Sequence, residues 1–420
     1  MMFSSNYSVY LLLTVIQVLA ALPWLALLLF KPEDIRRSLR NLKDVARLDH
    51  PSARGFLLGL GVAVLAVLVA PLLLMVSATG GKTLTAIGYC YGVVLQFQLL
   101  ADLFILVFVL LLGLWPKGGA IALAAFREGV RQPMFWLLFA VAFVALAVSP
   151  LIPYFTFGED HLVVKEIGID TIMLAAAVFA ALAASMSISE EIEGRTAVTV
   201  MSKPVSRRHF LIGKFVGIVL AAAVMFVLLG TFYEGVILFK VQWWERNMDP
   251  EPTPLWILST LEKWALPGEA SDLMLGVGLW THLTLDTAPG LILAFSQVMV
   301  LAAIAVSLAT RVPMVVNLVA VVVIFFLAHL TPVLVSIGYE GVNKPNPGAG
   351  AQILNFMAQL FDLLLPNLES FRLEPALLNE TPISAGDFAK YLGSVSLYGL
   401  LYTSIVLLFG LILFEDRDLA

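Results

Sequence analysis

Long apolar runs separated by short polar stretches dominate the chain. Nine of them reach the roughly 17–25 residues that a helix needs to cross about 30 Å of hydrocarbon. They fall near 9–30, 56–77, 92–115, 134–152 and 170–188, then near 210–239, 288–310, 313–337 and 391–414. Lipid offers no partner to an unpaired backbone group, so each run is predicted to be a helix. No ten-residue alternation of the barrel type is present. The pattern therefore predicts an all-α integral membrane protein of about nine transmembrane helices. Residues 1–8 hold no Lys or Arg, and the first bases, Lys31, Arg36 and Arg37, come after the first run. A cleavable signal needs a positive segment ahead of its apolar core. The first helix is thus expected to be retained, with its N-terminus outside.

Three shorter segments break the apolar pattern in informative ways. In 118–132, Leu123, Phe126 and Val130 recur at helical spacing while Arg127 and Arg131 share another face. That predicts an amphipathic helix in the inner interface, with an ordinary connector as the plainer alternative. In 187–214, Ser187 and Glu190 have capping-box spacing, and Glu190, Glu191 and Glu193 fall in the first turns, where the helix dipole favours them. Pro204 lacks a donor and restricts Lys203 before it, so it ends that helix; Ser206 can start the next one. A polar helix held between two spans suits docking to a partner, although a solvated hairpin that merely sets topology has the same pattern. In 351–366, Gln352, Asn355, Gln359 and Asp362 form a polar stripe opposite apolar residues, which predicts an interfacial helix on the outer side.

Charge supplies the orientation. With 31–55 placed in the cytoplasm, alternation puts seventeen of the 25 Lys and Arg residues inside, and the long outer loops carry acids such as Glu159, Asp160, Glu251 and Glu269. This excess of inside bases predicts N-terminus out and C-terminus in. Trp243, Trp244, Trp256, Trp264 and Trp280 cluster in 241–287, which is expected to lie on the outer surface at headgroup level. Only 13% of residues are charged, against about 25% in soluble domains, so lipid must cover the rest. A net charge of −5 gives no sign of a nucleic-acid partner, and Cys90 alone cannot form an internal disulfide.

The run Glu190–Lys214, EEIEGRTAVTVMSKPVSRRHFLIGK, resembles the signature loop of the ABC-2 type permeases, the membrane subunits of ATP-driven exporters. The matching positions are Glu191, Glu193, Gly194, Thr196, Met201, Ser202, Lys203, Pro204, Val205, Ser206, Arg207, Gly213 and Lys214. The phrase REGVRQPMF, from Arg127 to Phe135, resembles the family's interfacial helix ahead of its first core span. The resemblance implies a six-helix core with its interfacial helix over 116–420, a coupling loop at 187–214, and a three-helix membrane extension at 1–115 that the core does not account for. It also implies an ATP-binding partner subunit gripping a coupling helix at 189–203. Glu190, Glu191, Glu193, Gly194, Arg195, Thr196, Lys203, Pro204 and Arg207 are the expected contacts. ATP and magnesium would then be bound by that partner, with no cofactor in this chain. A homodimer, or a pair with a second permease, in the inner (cytoplasmic) membrane is expected, as is export of a hydrophobic or amphipathic substrate.

Other signals are weaker. Gly81-Lys82-Thr83 ends like a phosphate-binding loop, but position 76 is Val76, so the GxxxxGK[ST] pattern fails. No nucleotide motif is present, and the chain is expected not to be an enzyme. The five histidines have no ligand spacing, so no metal site is expected. Asp102 lies mid-span near Gln96 and Gln98 and is an intramembrane polar candidate; it makes an ion-driven secondary transporter the alternative reading, beside a non-transporting scaffold. Gln297 and Asn317 are expected to be interhelical glue, His329 is an ionisable group in the outer half of its span, and Glu234 is expected to reach the headgroups.

Overall fold

The computed structural model describes residues 3–29, 80–152, 160–189, 191, 206–240, 253–266, 268–343, 348–373 and 385–415. The span expected near 56–77 lies outside them, as do Glu190, Glu193, Gly194, Arg195, Thr196, Lys203 and Pro204. Every regular element among the described residues is helical: α1 (Phe3–Leu29), α2 (Gly81–Leu114), α3 (Pro116–Arg131), α4 (Pro133–Val148), α5 (Asp160–Ala184), α6 (Arg207–Phe239), α7 (Leu255–Trp264), α8 (Gly268–Ala309), α9 (Met314–Val342), α10 (Ala349–Leu364) and α11 (Ala385–Glu415). Seven of them (α2, α4 with the turn that carries it on to Leu151, α5, α6, α8, α9 and α11) are long and apolar enough to cross a membrane, and α1 carries a shorter apolar stretch, Ser8–Pro23.

Several helices overrun their apolar runs. α2 starts at Gly81 rather than near 92, and α8 at Gly268 rather than near 288. Hydropathy marks only the part of a helix at hydrocarbon depth; polar residues such as Lys82, Thr85 and Asp272 extend it beyond. The expectation of a surface loop at 241–287 is therefore corrected for 268–287, which is the first half of α8.

The chain forms two compact units, one of residues 1–110 with 247–286 and one of 111–246 with 287–420. In the first, α2 and the start of α8 run side by side in the same sense. Gly88 lies under Leu273 and Gly276, and Gly92 under Trp280. A Cβ on Gly88 would meet the Leu273 carbonyl at 2.3 Å, so only glycine permits this approach. Gln96 then accepts hydrogen bonds from Trp280 Nε1 (2.7 Å) and Thr284 Oγ1 (3.3 Å). On the other side α1 packs Tyr10 and Leu13 against Leu84, Tyr91 and Leu273.

In the second unit the ends of the helices are set by local chemistry. Gln132 adopts an extended backbone (φ −64°, ψ 135°), and prolines open both α3 and α4. A residue before proline is held extended, so the chain turns there from one helix to the next. Ser206, as expected, caps α6 by accepting from the His209 amide at 3.3 Å. The buried core is made by α5, α6 and the second half of α8. Gln297 and Asn317 do act as glue. Asn317 Nδ2 donates to Ser185 Oγ (2.9 Å) and to the Ala305 carbonyl (3.0 Å), and Gln297 meets His329 Nε2 at 3.3 Å. Glu234 departs from expectation: it is 1% exposed and accepts from Thr287 Oγ1 at 3.3 Å. A buried carboxylate must be hydrogen-bonded, and α8 supplies a donor there.

Opposite the end that carries Arg207 and Arg208, the segment after α10 is wedged into the bundle. Leu368 and Phe371 are buried, and Phe371 lies against Gly399 of α11. Arg372 donates to Glu166 Oε1 (2.6 Å) and Asp170 Oδ2 (3.0 Å) of α5, and Tyr391 donates to the Ser370 carbonyl at 2.7 Å. Magnitudes rank these contacts. The Arg372 partners are partly solvated, and such pairs contribute about 0.2–1 kcal/mol, whereas emptying a buried phenylalanine site costs about 3–5 kcal/mol. Phe371→Ala is expected to lower the unfolding temperature of the detergent-solubilised protein several times more than Arg372→Gln does. Equal shifts would show that the ion pairs hold the wedge.

Candidate functional site

The site lies at the basic end of the second unit, where α3, the end of α5 and the start of α6 converge. α3 has three faces. Arg127 and Arg131 are exposed, Leu123, Phe126 and Val130 are half-buried, and the small residues Gly118, Ala122, Ala125 and Gly129 are buried. Those small residues receive Gly213 and Gly217 of α6 at backbone distance; a Cβ on Gly217 would meet the Ala122 carbonyl at 2.4 Å. Without a hydrophobic drive between helices in lipid, small residues that allow such approach are what hold two helices together.

This close seam places a polar cluster. Lys214 of α6, 5% exposed, donates to Ser187 Oγ (2.7 Å), Glu191 Oε1 (2.6 Å) and Glu128 Oε2 (3.3 Å). An ammonium has three donors, and here each has a different partner. Ser187 in turn donates to Glu128 Oε2 at 3.2 Å. The ammonium also lies 5.9 Å from the centre of the Phe210 ring.

Ser187 sits in a π-helical turn, Ser185–Ser189, that continues α5. The expected capping box at Ser187 is thus corrected: α5 runs through this residue, and its hydroxyl is engaged by Lys214 and Glu128 rather than by a helix start. Such π-turns interrupt an otherwise regular ladder and recur at functional sites. Two hydroxyls of the turn are each bonded to a different helix. Ser185 accepts from Asn317 of α9, and Ser187 meets Lys214 of α6. A displacement of the segment that follows Ser189 would therefore reach four helices at once.

Of the nine residues expected to contact a partner, only Glu191 and Arg207 are among the described residues. Glu191 belongs to the cluster. Arg207 reaches the last helix instead, donating to the Phe414 and Glu415 carbonyls at 2.6 Å each, where unpaired carbonyls and the helix dipole favour a cation. Phe126 lies beside the α6 glycine seam, while Arg127 and Arg131 stay exposed and do not join the cluster. Asp102 belongs to the other unit. Glu128 was not anticipated as a site residue. Its only sequence signal was an acid in the otherwise basic phrase REGVRQ.

A family model described as ABC-2 family transporter protein matches residues 119–419. The chain belongs to that family. No curated protein and no solved structure matches it. The match begins within α3 and so takes in the polar cluster and all of the glycine seam but Gly118, leaving α1 and the whole of α2 ahead of it. As an ABC-2 permease, the protein is a multi-pass membrane subunit of an ABC transporter and not itself the ATPase.

Proposed function

We propose that this ABC-2 permease exports a hydrophobic or amphipathic substrate, driven by ATP that a separate nucleotide-binding subunit hydrolyses at the basic, cytoplasmic end. ATP and magnesium belong to that partner, and the permease works as a homodimer or beside a second permease in the inner membrane. The Lys214 cluster carries this reading. It ties Glu191, the start of the coupling segment, to the interfacial helix through Glu128, to α5 through Ser187 and to α6 through Lys214 itself. A stroke delivered to 190–205 then moves a linked set of helices rather than a loose loop. Arg127 and Arg131, exposed on α3, are available to anionic headgroups.

The test is copurification and flux. The tagged permease should bring down a P-loop ATPase, and proteoliposomes of the complex should move a fluorescent amphiphile only with ATP. Glu191→Lys, which sets a second cation against Lys214, is expected to cut ATP-driven flux about tenfold, the equivalent of about 1.4 kcal/mol, with membrane insertion intact. Flux that persists without any ATPase subunit would defeat the proposal.

A further inference from the structure

The first unit contains buried acceptor groups that lie outside the Lys214 cluster. Tyr91 of α2 donates to the Leu13 carbonyl of α1 at 2.9 Å, which fixes the faces on which the two helices meet. One turn past Leu13 on that face is Gln17. Two turns past Tyr91 is Gln98, followed a turn later by Asp102. Gln17 and Gln98 are only 4% and 7% exposed. Gln17 Oε1, Gln98 Oε1 and Asp102 Oδ1 are all buried without a hydrogen-bond partner among the described residues.

Unmet acceptors at bilayer depth are costly, and the described residues of this unit offer few cationic groups to meet them. The 56–77 run contains no Lys, Arg, His, Asn or Gln, and α1 contains no Lys, Arg or His. The described basic groups of this unit are Lys82, Lys263 and His282. Lys82 is twenty residues up α2 from Asp102, about 30 Å along the axis. Lys263 is exposed on α7, and His282 packs on Trp256 with ring centres 6.1 Å apart. Protonating Asp102 would add a single donor, which can serve one of the two amide oxygens and leaves the other unmet. A bound cation with oxygen ligands would meet several of these atoms together and balance the carboxylate.

We propose that Asp102 and Gln98, with Gln17 on the neighbouring helix, form an intramembrane site for a small cation or a cationic ammonium headgroup. The site is independent of ATP coupling and stands or falls separately from the exporter reading. The test is thermal unfolding of the purified full-length transporter at constant ionic strength, with N-methylglucamine replaced by sodium, by potassium or by octylammonium.

A saturable rise of roughly 2–4 °C with one of these is expected. An inorganic ion acting alone identifies a free-ion site, and octylammonium acting alone identifies a headgroup site. Asp102→Asn should abolish the rise and Gln98→Leu should weaken the apparent affinity about tenfold, while Asp387→Asn, at a surface carboxylate elsewhere, should keep it. If Asp102→Asn fails to fold, Gln98→Leu is read alone. The site is refuted if no cation raises the temperature over N-methylglucamine, or if the response survives Asp102→Asn or is unchanged in Gln98→Leu.

Discussion

Replacing Gly217 with leucine is expected to abolish a folded, monodisperse transporter. A Cβ there would lie 2.4 Å from the Ala122 carbonyl and 2.6 Å from Ala125 Cβ, and both obstacles belong to a helix rather than to a flexible side-chain tip. α3 and α6 must then separate along their whole seam. Even the smaller Gly217→Ala is expected to cost about 1–3 kcal/mol, the usual penalty for overfilling a packed interface. The control lies on the same helix. Gly235 has nothing within 4 Å of its notional Cβ, and alanine is the better helix former by about 1 kcal/mol. Gly235→Ala should therefore be neutral or slightly stabilising. Size-exclusion profiles and unfolding temperatures of the three variants test the claim, and comparable losses at 217 and 235 would mean that helix flexibility, not the close seam, is what glycine supplies.

The sequence was most legible where one physical rule dominates. Lipid forces apolar runs into helices, so α4, α6, α9 and α11 fall close to where hydropathy placed them, while α5 starts ten residues early, at Asp160. Ser206 starts α6 through a local side-chain bond that spacing predicts. Elements that depend on distant partners were hidden. Glu128 reads as one more surface acid until it meets Lys214, 86 residues later. Ser187 fits a capping box by spacing, yet Lys214 and Glu128 claim its hydroxyl. Tertiary hydrogen bonds there outweigh a local preference of about 1 kcal/mol. The early start of α8 was hidden too, because its first half is stabilised by the glycines of α2 and not by its own apolar periodicity. Gly88 and Gly92 look like weak points in a span until Leu273 and Trp280 are placed over them.

Lys214→Met is the sharper test of mechanism, because it keeps the side chain's volume and removes only its donors. Phe210 keeps an apolar neighbour, and Ser187 keeps its bond to Glu128. The side chains of Glu128 and Glu191 are 43% and 28% exposed, so water can replace the lost ammonium. The stability cost is therefore set by the lost charge-assisted hydrogen bonds, about 1.5–3 kcal/mol each at most, and not by a stranded buried charge. The larger effect falls on coupling. Glu191 loses its tie to α6, so movement of the segment behind it no longer pulls the bundle. ATP-driven flux is expected to drop by about tenfold or more, while the ATPase subunit still binds and still hydrolyses ATP. Lys214→Arg should recover little, since a planar fork cannot reach three acceptors arranged around a point charge. The decisive comparison is the pair Lys214→Met with Glu191→Gln. If the two residues act through their shared contact, the double variant transports no worse than either single one. Additive losses would place Lys214 in the fold alone, with no part in carrying the stroke.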